Sequence, residues 1–381
     1  MTASVALGTA RHHASQVEDA RAALEAVWTS TLSPPAFERE TRRNVANVLA
    51  GVARQQMDAA ALQVAADRLR AWLADLSPSH PRQSRWMEHQ ANARALAGDF
   101  DGAIEHYERA IRVAATATGA GSRMSHLWNE LGVLANDAGR FALAIDALEH
   151  AIALAKPVLP PSEYALTLLN LGSVFDTIGD YERAEAAMRE ALSLGGDEWT
   201  AESRRRARGN LGRVLGAQRR FAEARALLEA ALAEASPVDA PIEVLRLVQL
   251  DHLVGDAAAA SRRLDALDAA LVDHPLAAVL GRPSRRFRGR VALLAGDAAT
   301  AVASAQALLP EYTSAYGETS FDADLIRIDL AEAQLGQGRP DAARATLTPV
   351  LPRVAAMVTP SETNRARAER IWAALSGSPL R

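Results

Sequence analysis

The chain has 381 residues, a formal net charge of −4, no cysteine, and 49% apolar residues of which few are aromatic. That length exceeds what one ordinary globular core supports, the lack of cysteine excludes disulfides, thiolate zinc sites and thiol nucleophiles, and the mild negative charge supplies no overall field for nucleic acid. Lys156 is the only lysine, which reads as the codon bias of a GC-rich bacterial genome. No run approaches the ~20 apolar residues that span a bilayer, and Ala3 to Ala10 lacks the basic start of a signal peptide. The expectation is a cytoplasmic protein with no membrane insertion. The abrupt helical start at Thr2 fits a fragment, and a membrane-anchored parent would make the setting periplasmic.

In chain order, Ser15 to Leu32, Phe37 to Gln56 and Ala59 to Leu76 are predicted helices, separated by Ser33-Pro34-Pro35 and by Ser77-Pro78-Ser79-His80-Pro81. From there a motif recurs. Trp128-Asn129-Glu130-Leu131-Gly132, Leu168-Leu169-Asn170-Leu171-Gly172 and Arg208-Gly209-Asn210-Leu211-Gly212 align. In each, a turn residue falls seven positions after the Leu-Gly, at Gly139, Gly179 and Arg219. An aromatic follows (Phe141, Tyr181, Phe221), then alanine three residues later (Ala144, Ala184, Ala224). The full set of turn markers is Gly98, Gly139, Gly179, Arg219, Gly255, Gly296 and Gly338, at spacings of 41, 40, 40, 36, 41 and 42. After each marker, apolar residues recur at three and four, as in Phe100, Ala103, Ile104, Tyr107, Ala110 and Ile111. Glycine suits a left-handed helix end, and the alanine marks a close helix crossing that a larger side chain would overpack. Helix starts are cued at Pro161-Ser162-Glu163, Ser236-Pro237, Thr319-Ser320 and Thr359-Pro360-Ser361-Glu362. Gly195-Gly196-Asp197 and Leu280-Gly281-Arg282-Pro283 are expected irregularities. Ser361 to Ser376 is a predicted terminal helix, with Arg365, Arg367, Glu369 and Arg370 outward and Ala366, Ile371, Trp372 and Leu375 inward.

These repeats resemble the tetratricopeptide-repeat (TPR) family over Ser84 to Ala356. The classical period is ~34 residues; the longer period here is similar to the kinesin-light-chain type, which also occurs in regulatory regions of bacterial kinases and transcription regulators. The resemblance implies an all-α, right-handed superhelical solenoid of seven to nine antiparallel helix pairs. The expected organisation is degenerate helical repeats over 1–80, well-matched repeats over 81–235, divergent repeats over 236–358, and a capping helix with tail over 359–381.

In this family the first helix of each pair lines a concave groove. The positions flanking the Leu-Gly core are Asn92, His126, Asn129, Asn170, Arg206, Asn210, Arg213, Arg246, Arg286 and Arg290. Asparagine both donates and accepts, so it can pair with a peptide backbone; arginine offers a planar fork for carboxylate or phosphate. Asn129, Asn170 and Arg206 match places in the carboxylate clamp of chaperone-tail-binding repeats. Val133 and Asn210 depart from that clamp, which favours backbone recognition over capture of a chain terminus. The same asparagines can instead satisfy contacts between neighbouring repeats. Arginines also concentrate at Arg204, Arg205, Arg206, Arg208 and Arg213, and at Arg282, Arg285, Arg286, Arg288 and Arg290. Five charges around one helix cannot all face a groove, but Arg206, Arg213, Arg286 and Arg290 share its phase. A basic groove suits an acidic or phosphorylated protein segment.

Catalytic motifs are lacking. No phosphate-binding Gly-rich loop, His-Glu-x-x-His or Gly-x-Ser-x-Gly occurs. Asp146 and His150 share a helical face as a surface pair. The stripe of Trp86, Tyr107, Trp128, Phe141, Phe175, Tyr181 and Phe221 is read as core, with Trp199 outside the pattern. No cofactor, metal or catalytic residue is expected, and nothing in the sequence sets the oligomeric state. Two readings stand: a non-catalytic module that binds a peptide or protein segment in the groove, or the sensor or scaffold region of a larger bacterial signalling protein.

Overall fold

The computed structural model describes residues 14–29, 35–56, 58–274, 276–355 and 364–376. These contain helices and no strand. Two compact units are present: one comprises Met1–Ala138 and Asp146–Val158, the other Gly139–Ile145 and Leu159–Arg381. Each is built from antiparallel helix pairs, and eight pairs occur among the described residues.

The first unit begins with α1 (Ala14–Thr29), followed by α2 (Pro35–Gln55), α3 (Ala59–Trp72), α4 (Gln83–Leu96), α5 (Phe100–Ala114), α6 (Gly121–Asp137) and most of α7 (Phe141–Ala155). Tyr107 of α5 is almost fully buried and donates to Asn92 Oδ1 of α4 at 2.7 Å. Ser125 of α6 donates to the Ala151 carbonyl at 2.9 Å.

In the second unit, first helices α8 (Pro161–Ile178), α10 (Ala201–Ala217), α12 (Ala240–Val254), α14 (Ala277–Leu294) and α16 (Phe321–Gly336) alternate with second helices. Those are α9 (Tyr181–Gly195), α11 (Phe221–Ala233), α13 (Ala257–Ala270), α15 (Ala298–Tyr316) and α17 (Pro340–Leu347); α18 (Leu351–Ala355) and α19 (Asn364–Ser376) close the described chain.

All seven turn markers have positive φ, including Arg219 at 64°. At six of these turns the next residue's N–H reaches back to a carbonyl five positions earlier, as in Asp180 to Phe175 at 2.8 Å and Arg220 to Leu215 at 2.9 Å. That bond closes a Schellman helix end and satisfies carbonyls the helix would otherwise orphan. At four turns the following residue is aspartate, and it caps the next helix: Asp99, Asp180, Asp256 and Asp297 accept from Gly102, Arg183, Ala259 and Thr300 at 3.0, 3.2, 2.8 and 3.0 Å. A two-residue Gly-Asp device thus ends one helix and starts the next.

The alanine five residues after each marker is buried in every repeat: Ala103, Ala144, Ala184, Ala224, Ala260, Ala301 and Ala343. Opposite two of them stand glycines. A Cβ on Gly172 would lie 2.9 Å from Met188 Cγ and 3.2 Å from the Ala184 carbonyl; one on Gly212 would lie 2.8 Å from Leu228 Cγ.

Several expectations change. Gly196–Glu198 is a single 3-10 turn, but Leu280-Gly281-Arg282-Pro283 stays inside α14. The start near Ser236-Pro237 moves to Ala240; Ser236 Oγ instead bonds Asp239 Oδ2 at 2.7 Å. Trp199 is core: its indole Nε1 donates to the Ser162 carbonyl at 2.9 Å, and the ring covers Gly195 so closely that a Cβ there would collide with it. In the terminal helix, Ala368 and Ile371 pack on Ile328, Ala331 and Leu347. Arg367 is not outward: it is buried against Asp329 and Glu332 of α16. The Thr359-Pro360-Ser361-Glu362 cue lies outside the described residues.

Two stability outcomes follow. Arg219→Gly relieves a left-handed side chain costing ~1–2 kcal/mol against ~0.5–1 kcal/mol of added backbone entropy, so the urea midpoint should rise slightly; a fall would mean Arg219 makes a compensating contact. Gly172→Leu inserts a side chain between α8 and α9 and should cost ~1–3 kcal/mol or more, read as a lower midpoint in the same assay.

Candidate binding surface

The expected groove residues of the first unit all engage neighbours. His126 Nε2 of α6 lies 3.0 Å from Glu88 Oε1 of α4, and Arg123 Nη2 is 2.6 Å from Glu88 Oε2. Burial opposes ionisation of Glu88, but His126 and Arg123 outweigh it and hold the carboxyl well below its usual range. Beside it, His89 meets Asn47 at 3.2 Å, and burial pushes its imidazole down to about 4. Asn92 accepts from Tyr107, leaving its buried Nδ2 without a partner. Asn129 is half-buried on α6.

In the second unit the polar face runs as a ladder across successive first helices. Arg206 of α10 donates to Asn170 of α8 at 2.6 Å. Asn210 donates to Ser173 at 3.2 Å and accepts from Arg246 of α12 at 2.6 Å. Arg213 pairs with the buried Asp176, whose carboxyl burial pushes up against the pull of Arg213. Arg246 also binds Glu243 at 2.7 Å, and Glu243 takes Arg205 from the previous repeat. Arg206 is exposed, Asn170 half-buried and Asn210 buried.

The ladder ends in a cluster. Arg286 Nε of α14 sits 2.5 Å from Asp329 Oδ2 of α16, and Arg367 Nη2 of α19 sits 2.7 Å from Oδ1. Arg290 Nε is 3.9 Å from the same Oδ1, and its Nη2 donates to His252 Nε2 of α12 at 3.0 Å. Burial opposes ionisation of Asp329, but Arg286, Arg367 and Arg290 hold it far below the normal carboxylate range. Burial, reinforced by Arg290 and Arg367, pushes His252 down to about 3. Arginine only donates, so His252 Nε2 must accept and the proton resides on Nδ1, which is buried with no partner.

Arg213, His252, Arg286, Arg290 and Arg367, with Asp176, Phe287, Phe321 and Leu325, line a cavity of about 350 Å³. A second cavity of about 260 Å³ shares His252, Arg286 and Arg290 but is walled by Leu293, Ala305, Leu308 and Ile326. Arginines off this face serve the second helices: Arg208 pairs with Glu234, Arg285 with Glu311 at 2.6 Å, and Arg288 with Asp268 at 2.6 Å. His150, paired to Asp146 at 3.5 Å, stacks on Trp128 with ring centroids 4.9 Å apart. Among the described residues, no group of three metal-ligating side chains gathers.

Sequence reading missed Arg205, Asp329 and Arg367. Arg205 lies one position off the expected phase, and Asp329 and Arg367 bind across 38 residues.

Residues 123–195 and 169–240 match the tetratricopeptide repeat. Over those residues the chain carries tetratricopeptide repeats. No curated protein matches the sequence. Among solved structures, the chain is similar to a Rap protein complexed with Competence and Sporulation Factor (13% identity, 88% of this chain and 96% of that one, TM-score 0.58). It is also similar to the apo quorum sensor NprR from B. thuringiensis (15%, 89% and 93%, TM-score 0.59) and to aspartyl phosphate phosphatase F from Bacillus subtilis (14%, 77% and 76%, TM-score 0.56). At these identities the likeness is one of fold, stacked antiparallel helix pairs.

Because His252 titrates near 6.5 when unfolded and about 3 when folded, the folded state binds fewer protons between those values. Its stability contribution is present above about pH 6.5 and is lost as pH falls toward 3. The urea midpoint of wild type should therefore drop more steeply from about pH 7 to about pH 4 than that of His252→Gln; parallel slopes would show that His252 is not buried as a neutral ring.

Proposed function

We propose that this TPR chain is a non-catalytic recognition module that orders a peptide or protein segment along the first-helix face of its second unit. The observation that carries this reading is the cavity of about 350 Å³ to which α8, α10, α12, α14 and α16 all contribute. A pocket shared by five successive first helices is pre-formed by the stacking itself, so little ordering cost falls on binding. Arg206, Asn170, Asn210 and Arg246 line up along the same face, and their amide and guanidinium groups suit a peptide backbone and its acidic side chains. An acidic segment is the partner this face favours.

A second reading makes the chain the sensor region of a larger bacterial signalling protein in the cytoplasm. The fold it shares with a quorum sensor and with a Rap protein that carries a bound factor supports that setting. No catalytic role is assigned to any residue in either reading.

The test is capture from host lysate by wild type beside Asn170→Ala/Arg206→Glu, with circular dichroism of both. Wild type should retain a protein at least tenfold better than the variant while the two unfold alike. Equal retention would move the interface off this face.

A further inference from the structure

We propose that Arg213, Arg286, Arg290 and Arg367 form a carboxylate-binding subsite within the cavity of about 350 Å³, completed by the terminal helix α19. This rests on the reading of the second unit as a segment-binding face and names the chemical group that anchors the segment.

The charge count is the first observation. Arg286, Arg290 and Arg367 converge on one buried carboxylate, Asp329, at 2.5, 3.9 and 2.7 Å. Glu332, whose side chain is 38% exposed, also pairs with Arg367. Two carboxylates pair with these three guanidiniums, with Asp322 near Arg286, and Arg213, which also lines the cavity, pairs with Asp176. Hydrogen-bond capacity is the second. A guanidinium has five N–H donors, and Asp329 has two oxygens to share among three of them. Arg367, with its side chain 9% exposed, keeps a buried Nη1 with no partner, and His252 keeps a buried Nδ1–H with none. Buried donors without acceptors are costly, and both residues line this cavity. Consistently, burial among like charges pushes Arg290 down to about 9. A carboxylate in the cavity would supply the missing negative charge and up to four acceptor positions, in the bidentate geometry arginine favours.

That carboxylate could belong to a chain terminus or to an Asp or Glu side chain, and small probes separate the two. N-acetyl-Ala-Ala-Ala, its C-terminal amide, and N-acetyl-Ala-Asp-Ala-amide are titrated against the full chain by calorimetry and by thermal shift. At least one carboxylate probe should bind and raise the unfolding temperature, while the neutral amide does neither; the tighter of the two acids identifies the source. Arg367→Gln and Arg290→Gln should each weaken the acid at least tenfold, and Arg285→Gln, off this face and paired with Glu311, should leave it unchanged. Acid and amide behaving alike, or an Arg367→Gln variant that binds as well as wild type, would overturn the subsite. If Arg367→Gln does not fold, the wild-type contrast between acid and amide still decides. A partner captured from lysate through Asn170 and Arg206, alongside acid and amide probes that behave alike, would sink the subsite and leave the recognition reading standing.

Discussion

Everything in this chain follows from how closely two helices can approach. Ala184, Ala224 and their counterparts contribute only a methyl group at each crossing, and Gly172 and Gly212 contribute nothing. Backbones therefore meet where a Leu or Val would hold them apart. The left-handed turn residue fixes the other half of the geometry: with a Schellman end and an aspartate cap in two residues, the second helix has no slack in its direction. Because turn and crossing repeat at similar spacing, the first helices of the second unit come out side by side, and residues about 36–43 apart in sequence fall within hydrogen-bond reach. The polar ladder is a product of the packing.

That same packing explains what could and could not be read from the sequence. The turns, the crossing alanines and the helix pairs obey local rules, and each repeat restates them; even the exceptional Arg219 announced itself by standing where glycine was due. The polar face was only partly legible. Phase along a helix grouped Arg206, Arg213, Arg286 and Arg290, of which the last three line one cavity, but it said nothing of their partners. Asp329 and Arg367 meet because α19 packs on α16 through Ile371 and Ala368. Helical periodicity gives the faces of one helix, not which carboxylate of another repeat will oppose it. Arg367 was assigned to solvent on charge alone, a rule that fails wherever a buried carboxylate waits.

The arginines illustrate two different uses of one side chain. On the second-helix side, Arg285, Arg288 and Arg208 reach half-exposed carboxylates, and such pairs contribute little to stability. Around buried carboxylates of α12 the pairing is different: Arg205 and Arg246 of first helices share the fully buried Glu243, and Arg225 and Arg263 of second helices share the buried Asp251 at 2.8 Å each. There a lost partner would strand a charge in a poor solvent, so those pairs enforce the register of neighbouring repeats. Repetition of one residue type therefore does not make a uniform surface.

What distinguishes the cluster around Asp329 is its stoichiometry. Glu243 and Asp251 each serve two arginines, one carboxylate oxygen or both engaged by each, and the donors around them are matched. Asp329 serves three, and the third, Arg290, turns its Nη2 to a neutral histidine instead. A protein that needed only to glue α14, α16 and α19 together would do so with fewer cations. Retaining a third guanidinium costs desolvation and mutual repulsion, both visible in the depressed proton affinity of Arg290. Such a cost is recovered when an anion enters a site whose donors are already fixed by packing, since neither the cavity nor the guanidiniums must then reorganise. The frustration left in the unliganded cluster is thus the physical signature of a surface built to be completed from outside.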